Sequence, residues 1–556
     1  MTASFRFSEL FIGALALAYL VGCSPKEKAD VWFVDEAALR GIEFKHVSGF
    51  KERPYLPEIM GGGVAFIDVE GDGDLDIYFV QSGWHLGSEP NPTDVPPNEL
   101  YLNDGTGHFT QGPVQDQLAH VAYGMGVTTG DYDNDGDTDL YVTNLGENAL
   151  LRNDGDGRFV DVTQAAGVSD PKWSTAATFS DFDADGDLDL FVVNNLKWSA
   201  DNEMNCFSRG VPTYCLPTNY QAPARDSIFR NNGDGTFSDV SNDSGLDLAF
   251  GNGLGTVPAD FDGNGLIDLF VANDTMVNQL WLNQGEWRFV NRAFQWACAV
   301  DNHGFAKAGM GVDAIDLDDD LDQDVLVVNL EGQSDSVYIN HETYFRDQTS
   351  HVGLGAGSRR FTRFGIAFAD FDNDGVVDLL EANGKVDGNP KNETDEFAEP
   401  NMLFRGQYRN QLVRFEPMQQ IDGTANPQIH TSRALAVGDI DLDGDLDAVI
   451  VNRDWPAYVL INSIGQDNNW IRFRVLNRHG SDAIGAMVTL TIGEKRQVRH
   501  VKVAGSYLSA HDPHVHFGLG EIDAVSEVLV RWPTGEERQF GDFEVNQIVE
   551  LALSDS

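Results

Sequence analysis

A nine-residue acidic loop, D-x-D-x-D-G-x-x-D, recurs seven times in this chain, and each copy runs directly into a short apolar strand. The copies open at Asp68, Asp131, Asp181, Asp260, Asp316, Asp370 and Asp439, with starts 63, 50, 79, 56, 54 and 69 residues apart. A period of that size specifies one supersecondary unit repeated along the chain, each copy burying its apolar faces against its neighbours.

Alternate residues of a tight turn point inward, so side chains at positions 1, 3, 5 and 9 converge. Oxygen-only donors in that pattern suit a hard cation, and calcium takes roughly six to eight oxygens at flexible geometry. The candidate ligands are Asp68, Glu70, Asp72 and Asp76; Asp131, Asp133, Asp135 and Asp139; Asp181, Asp183, Asp185 and Asp189; Asp260, Asp262, Asn264 and Asp268. The last three loops supply Asp316, Asp318, Asp320 and Asp324; Asp370, Asp372, Asp374 and Asp378; Asp439, Asp441, Asp443 and Asp447. In the second loop the Asp137 carbonyl adds a further oxygen, and Gly136 permits the bend. An EF-hand would need flanking helices and a glutamate at position 12. Here that position is Phe79, Val142 or Val192, inside a strand.

The copies differ. Glu70 replaces an aspartate, Asn264 removes one charge, and Leu321 stands where the fifth loop should have glycine. The four positions hold 27 carboxylates in all. Without metal these repel one another; seven Ca²⁺, fourteen positive charges, would move the formal charge from −51 to −37. One acidic turn would be read as merely solvated. Seven in register point to metal, with up to seven Ca²⁺.

Each loop lies between two apolar strands, for example MGVTTGDYD and TDLYVTN. A second strand pair follows in most repeats around a glycine-rich turn, as in NALLRNDGDGRFVDVT (148–163) and DSIFRNNGDGTFSDVS (226–241). Four short strands per repeat make a propeller blade, so the expected fold is all-β, with a seven-bladed β-propeller over 31–465. The seventh repeat lacks a fourth strand of its own. VWFVDEAALRGI (31–42) reads like FVDVTQAAGV (159–168) and would supply it, closing the ring and removing free sheet edges. A helix over 35–40 competes, because AALR favours helix.

With these motifs in view, the repeats resemble the FG-GAP/VCBS family, whose blades are shared with integrin α-subunit heads. The tail, with NNWIRFRV, SDAIGAMVTL, SYLSAHDPHVHFGLG, VLVRWPTG and NQIVEL, resembles the ASPIC/UnbV domain. Together the two similarities point to the cartilage acidic protein family and its bacterial relatives. The resemblance implies an integrin-α-like propeller followed by a β-sandwich-like domain over 466–556.

The length suffices for one large propeller and a small domain. A pI near 4.3 argues against a nucleic-acid surface. Residues 1–22 read as a signal peptide, whose apolar run LFIGALALAYLVG (10–22) is short for a membrane span. Leu20-Val21-Gly22-Cys23 resembles a bacterial lipobox, which implies cleavage before Cys23 and its lipidation. Residues 23–30 then form a polar tether, and Ser24 points to the outer membrane. The competing reading is an ordinary secretory signal. Membrane contact is expected through the lipid alone. In an oxidising compartment Cys206 and Cys215, bracketing eight residues, are expected to form a disulfide, and Cys298 to remain a buried thiol.

The long insertions 82–97, 195–225 and 384–400 all fall on the end of the sheets opposite the acidic loops. Variable loops on a rigid scaffold commonly carry function. Trp84, Trp173 and Trp198, with Tyr214 and Tyr220, could stack on sugar rings or a protein partner, or pack the insertions down. Lys307, Arg363 and Arg433, with His303 and His430, precede the acidic loops. They are expected to ring the channel mouth, either holding a carboxylate or sulfate or pairing with neighbouring carboxylates. His511, His514 and His516 read as structural. No GxSxG, HExxH, P-loop or CxxC occurs. The leading expectation is therefore a calcium-stabilised extracytoplasmic binding or adhesion protein, its ligand a glycan or an envelope or extracellular protein. The alternatives are a lyase on acidic polysaccharide, with Lys307, Arg363, Arg433 and His303 as its working groups, or an envelope assembly factor.

Overall fold

The structure is a computed structural model that describes residues 1–2, 31–88, 90–91, 95–112, 122–155, 157–208, 210–388, 395–492 and 495–553. Cys23, the tether and all but two residues of the signal segment lie outside the described residues.

The repeats form seven antiparallel sheets, each with four strands from the repeat region. The first strands are Val64–Ile67, Gly124–Gly130, Ser174–Ser180, Gly253–Ala259, Val312–Ile315, Arg363–Ala369 and Ser432–Gly438, and every residue in them is buried. The second strands, such as Asp139–Asn144, are buried throughout as well. Burial on both faces explains why these strands read as continuous apolar and small-residue runs rather than alternating ones. The first strand of each sheet packs against that of the next, and the seventh returns to the first.

The amino-terminal strand completes the seventh sheet. Phe33–Asp35 pairs antiparallel with Tyr458–Asn462, placing Phe33 opposite Asn462. The same Phe–Asn register recurs at Phe109/Asn103, Phe159/Asn153, Phe237/Asn231, Phe289/Asn283 and Phe345/Asn340. The helix reading of 35–40 yields only a turn, in which the Arg40 N–H reaches the Glu36 carbonyl at 2.9 Å.

Those asparagines also bind sheet to sheet. Each side-chain amide donates to the position-2 carbonyl of the preceding acidic loop: Asn153 to Val69 (2.9 Å), Asn231 to Tyr132 (2.7 Å), Asn283 to Phe182 (2.7 Å) and Asn340 to Phe261 (2.9 Å). Asn462 reaches Phe371 (2.8 Å), and Asn103 reaches Ile440 of the seventh loop (2.8 Å), so the series runs across the junction between last sheet and first. These buried carbonyls would otherwise lack a donor. The sixth sheet has Gly406 at the equivalent place, and there the Val413 N–H bonds Leu317 O at 2.9 Å instead.

The carboxy-terminal region builds two further sheets around one core that includes Ile471, Phe473, Val488, Phe517, Val528 and Trp532. One sheet orders Val515–Gly520, Asn469–Leu476 and Ile548–Ala552. The other orders Lys495–His500, Met487–Ile492, Ala524–Arg531 and Glu537–Phe540. The segment between Val501 and His511 leaves this unit and runs in among the first strands. Ser509–Ala510 pairs in parallel with Val64–Ala65 as a fifth strand of the first sheet. The Ser506 carbonyl accepts the Val312 N–H (3.1 Å), and its hydroxyl donates to Leu435 O (2.8 Å) and accepts the Ile366 N–H (3.0 Å). Tyr507, fully buried, donates its phenol to Met60 O at 2.8 Å. The first strands make room with glycine: a Cβ on Gly63 would lie 2.7 Å from Leu508 O, and one on Gly126 only 3.1 Å from Leu508 Cα.

Candidate metal centres and the insertion end

The acidic loops share one hydrogen-bonded frame. In six loops the position-1 carboxylate accepts the N–H groups of positions 5 and 6, as Asp131 does from Asp135 (3.2 Å) and Gly136 (3.0 Å); in the fifth, Asp316 accepts those of Asp318 (3.3 Å) and Leu321 (3.0 Å). Position 9 accepts one N–H from position 2 and another from the third strand. Asp139 takes those of Tyr132 (3.2 Å) and Asn153 (2.8 Å); Asp189 takes those of Phe182 (2.9 Å) and Asn231 (2.8 Å). Positions 4 and 6 both bend left-handed, at φ +59° for Asn134 and +100° for Gly136.

The frame leaves oxygen for a cation. In five loops one position-3 oxygen is buried without a hydrogen-bond partner: Oδ1 of Asp133, Asp183, Asp318, Asp372 and Asp441. Such orphaned acceptors are costly unless something meets them. Asp131, Asp133 and Asp139 each offer an oxygen within 4.8 Å of the others, as do Asp181, Asp183 and Asp189, and Asp260, Asp262 and Asp268. The fifth and sixth loops converge through Asp316, Asp318 and Asp320, and Asp370, Asp372 and Asp374. Burial, reinforced by neighbouring carboxylates, pushes Asp76 up to about 8 and Asp189 up to about 9. Asp139, Asp268, Asp324, Asp378 and Asp447 lie well above the usual range for the same reason. A cation would let such buried acids ionise. These Asp-rich groups could hold metal ions, and the donor set fits a hard one.

Protein cations reach some loops and not others. The buried Arg472 guanidinium pairs with Asp439 (2.7 Å) and with Asp512, while Arg40 meets Asp441 at 2.8 Å. Arg405 bridges Asp372 (2.5 Å) and Asp374 (3.2 Å), and Lys495 reaches Asp319 at 3.2 Å. Among the described residues no lysine or arginine pairs with positions 1, 3, 5 or 9 of the second, third or fourth loops. Two of these four cations, Arg472 and Lys495, come from the carboxy-terminal unit, which lies over the loop end. It also places the Ser481 hydroxyl on Asp131 and the Gln497 amide on Gly375 O (2.9 Å). His511 and His516 each meet one neighbour through a ring nitrogen. His511 Nδ1 accepts the Val437 N–H (3.1 Å), and His516 Nε2 lies 2.6 Å from Asn373 Oδ1. His514 Nδ1 lies 2.6 Å from Asp512.

The opposite end departs from expectation. The cations do not ring an open mouth. Arg363 is fully buried, paired with Asp335 at 2.8 Å and donating to Gln333 O (2.9 Å) and to Phe361 O. Arg433, also fully buried, donates to the carbonyls of Ile59 (2.6 Å), Gly384 (3.0 Å), Ser432 (2.7 Å) and Lys385 (3.0 Å), with its guanidinium over the Phe364 ring at 3.9 Å. Burial away from any carboxylate pair pulls Arg433 down to about 9. Lys307 donates to Ser334, Asp335 and Ser336 at 2.9–3.2 Å. His303 alone is largely exposed. These donors are spent inside the fold, so the side chains hold strand starts and connections in place rather than presenting charge.

The aromatic residues likewise pack inward. Trp173 is 2% exposed, and Trp198 stands edge-on to it and to Tyr55, with ring centroids 6.1 and 6.3 Å apart. Trp84 meets Tyr123 the same way at 5.4 Å. Tyr214 accepts a 2.8 Å bond from Arg453. The unforeseen residue here is Glu203, whose carboxylate gathers the Trp198 Nε1 (2.8 Å), the Leu56 N–H (3.1 Å) and the Tyr220 hydroxyl (2.5 Å). Cys206 and Cys215 form a disulfide, and Cys298 is a buried free thiol. The other omission was the six-fold asparagine, whose signal stands in the sequence as LYLN, LLRN, IFRN, LWLN, VYIN and VLIN.

Fold and loops together define an all-β, propeller-like repeat protein with acidic metal-type hairpins. The chain belongs to the FG-GAP-like repeat family, whose model matches residues 68–142, 131–192, 218–271, 260–327 and 316–381, and it ends in an ASPIC and UnbV domain matched over 477–556. It is similar to cartilage acidic protein 1 of Xenopus tropicalis, 26% identical over 335 residues, covering 58% of this chain and 41% of that protein. The Homo sapiens protein of the same name is 27% identical over 301 residues, covering 51% and 42%. The chain thus spans about two fifths of the length of these relatives. Among solved structures it is similar to an Agrocybe aegerita lectin described as recognising non-reducing terminal N-acetylglucosamine (15% identity, TM-score 0.38, 71% of this chain and 86% of that one). It is also similar to the BP39L lectin of Burkholderia pseudomallei (12% identity, TM-score 0.42, 73% and 97%).

Proposed function

We propose that this chain is a calcium-stabilised binding protein working outside the cytoplasm. In this reading the seven sheets are the blades of one propeller over 31–465, and the unit over 466–556 is a β-sandwich that caps its loop end. Calcium in the acidic loops would be bound by positions 1, 3, 5 and 9, with the buried position-3 oxygens as its clearest supports. The ion would supply positive charge to carboxylates that the fold already holds in place. Lipid on Cys23 would tether the protein to the outer membrane.

One observation carries the binding reading: the two ends of the sheets are built differently. The loop end is covered by the carboxy-terminal unit. The other end carries the insertions, braced by a disulfide and by packed aromatics, and this is the surface left to meet a glycan or protein partner. The engagement of Lys307, Arg363 and Arg433 inside the fold leaves only His303 of the four groups on which the lyase alternative depended, which favours binding. The test is retention of the calcium-loaded chain on a panel of acidic and neutral polysaccharides, scored also for new chain ends. Retention without cleavage is expected for glycan binding. New chain ends would overturn the binding reading in favour of an enzyme, and no retention would direct the search to a protein partner.

A further inference from the structure

The insertion end encloses a cavity of about 470 Å³. Met60, Met310 and Phe364, close to the starts of three first strands, form its floor. Val386 lies at one wall. The disulfide-clasped hairpin Cys206–Ser208/Val211–Thr213 forms its roof and contributes Phe207, with Leu216 following. The roof is anchored across the cavity, because Asp387 accepts from Ser208 Oγ (3.1 Å) and Thr213 Oγ1 (3.5 Å). Phe207 and Leu216 remain 65% and 48% exposed, an apolar rim on a strongly acidic protein.

Asp274 lines this space with an uncommitted carboxylate. The Asp274 backbone is fixed, its N–H on Asn252 O (2.9 Å) and its carbonyl accepting from Thr275 Oγ1 (2.7 Å). Its carboxylate has no hydrogen-bond or ion-pair partner among the described residues, and burial alone pushes it up to about 7. Ligand cavities are typically roughly 300–1,000 Å³, mostly apolar, with a few polar groups that orient the ligand. A carboxylate in apolar surroundings is costly until a cation or strong donor meets it. A net charge of −51 raises the local concentration of cations and repels anions. The clasped roof keeps the cavity formed before a ligand arrives, which lowers the ordering cost of binding.

We infer that this cavity binds a small apolar molecule bearing one protonated amine, its apolar body on Met60, Met310 and Phe364 and its amine on Asp274. The inference rests on the insertion end being the binding end, but not on glycan or protein capture, which the retention assay reads separately.

The test titrates the full chain with dansylcadaverine, which joins an apolar ring system to a primary amine, and with dansyl amide, which lacks the amine. Fluorescence should report one saturable site, with the amine probe about ten-fold tighter, as expected of one charge-assisted contact. Asp274→Asn should abolish that preference while leaving dansyl amide binding unchanged. Val386→Trp, filling the cavity from its wall, should weaken both probes at least ten-fold. An unchanged melting temperature would show that each variant folds. Absence of saturable binding by the folded wild type, a preference that survives Asp274→Asn, or full binding by folded Val386→Trp would each overturn the assignment.

Discussion

The second and fifth acidic loops reach the same shape by different means. Gly136 bends at φ +100° and gives its N–H to Asp131 at 3.0 Å; Leu321 bends at +78° and gives its N–H to Asp316 at the same distance. Asp139 and Asp324 each accept two backbone N–H groups in matching places. Beyond this frame the two diverge. The Tyr132 carbonyl is capped by the Asn231 amide, whereas the Leu317 carbonyl takes the Val413 N–H from a longer outer hairpin. Gly406 occupies the asparagine's place because a Cβ there would lie 1.9 Å from Val377 O. The fifth loop is also covered, by the Tyr408 hydroxyl on Asp318 O (3.2 Å) and by Lys495 on Asp319 (3.2 Å). The comparison shows that the fold constrains the carbonyl and the bend, not the residue type that serves them.

Removal of divalent ions should show the largest effect. Several native-state ligands, each contributing about 2.7 kcal/mol at a hundredfold excess over Kd, should shift Tm by on the order of 10 °C on chelation. An unchanged calorimetric melt would mean that hydrogen bonds alone hold both loops. Gly136→Val comes next, since a β-branched residue at that φ should cost about 2–3 kcal/mol in urea unfolding. Asn153→Ala should cost about 1–3 kcal/mol by leaving the buried Val69 carbonyl without its donor. A neutral result would show the inter-sheet bond to be dispensable in the first loop. Leu321→Gly should act in the opposite direction, gaining up to about 1 kcal/mol as left-handed strain is relieved against the chain entropy of glycine. If it destabilises instead, leucine packing outweighs the strain. Lys495→Ala should change stability by less than about 1 kcal/mol, as expected for a partly exposed ion pair. A larger loss would show that Lys495 serves the fifth loop as a resident cation.

The acidic loops were legible because their carboxylates and their bend lie within nine residues, so spacing alone encodes the geometry. The role of Phe33–Asp35 was legible because FVD repeats at 159–161, and repetition carries register across the whole chain. The asparagines were equally available, but their meaning depends on a carbonyl in the preceding repeat, which no local pattern shows. Arg363 and Arg433 were misread for a related reason. Their positions at the starts of the first strands were read correctly, yet burial is decided by the insertions and connections folding over them. The path of Ser506–His511 was hidden because a run alternating small, polar and aromatic residues has the signature of an ordinary loop, and only the glycines opposite it betray a tight passage.

The pairing of Phe33 with Asn462 has a consequence for biosynthesis. A chain emerging from the ribosome presents Phe33–Asp35 long before its partner strand, which appears only after every intervening sheet. The ring therefore cannot close during most of elongation, and the segment around Tyr507 emerges later still. Until the last repeat and Ser506–His511 have been made, the first sheet lacks both its seventh-sheet neighbour and its fifth strand.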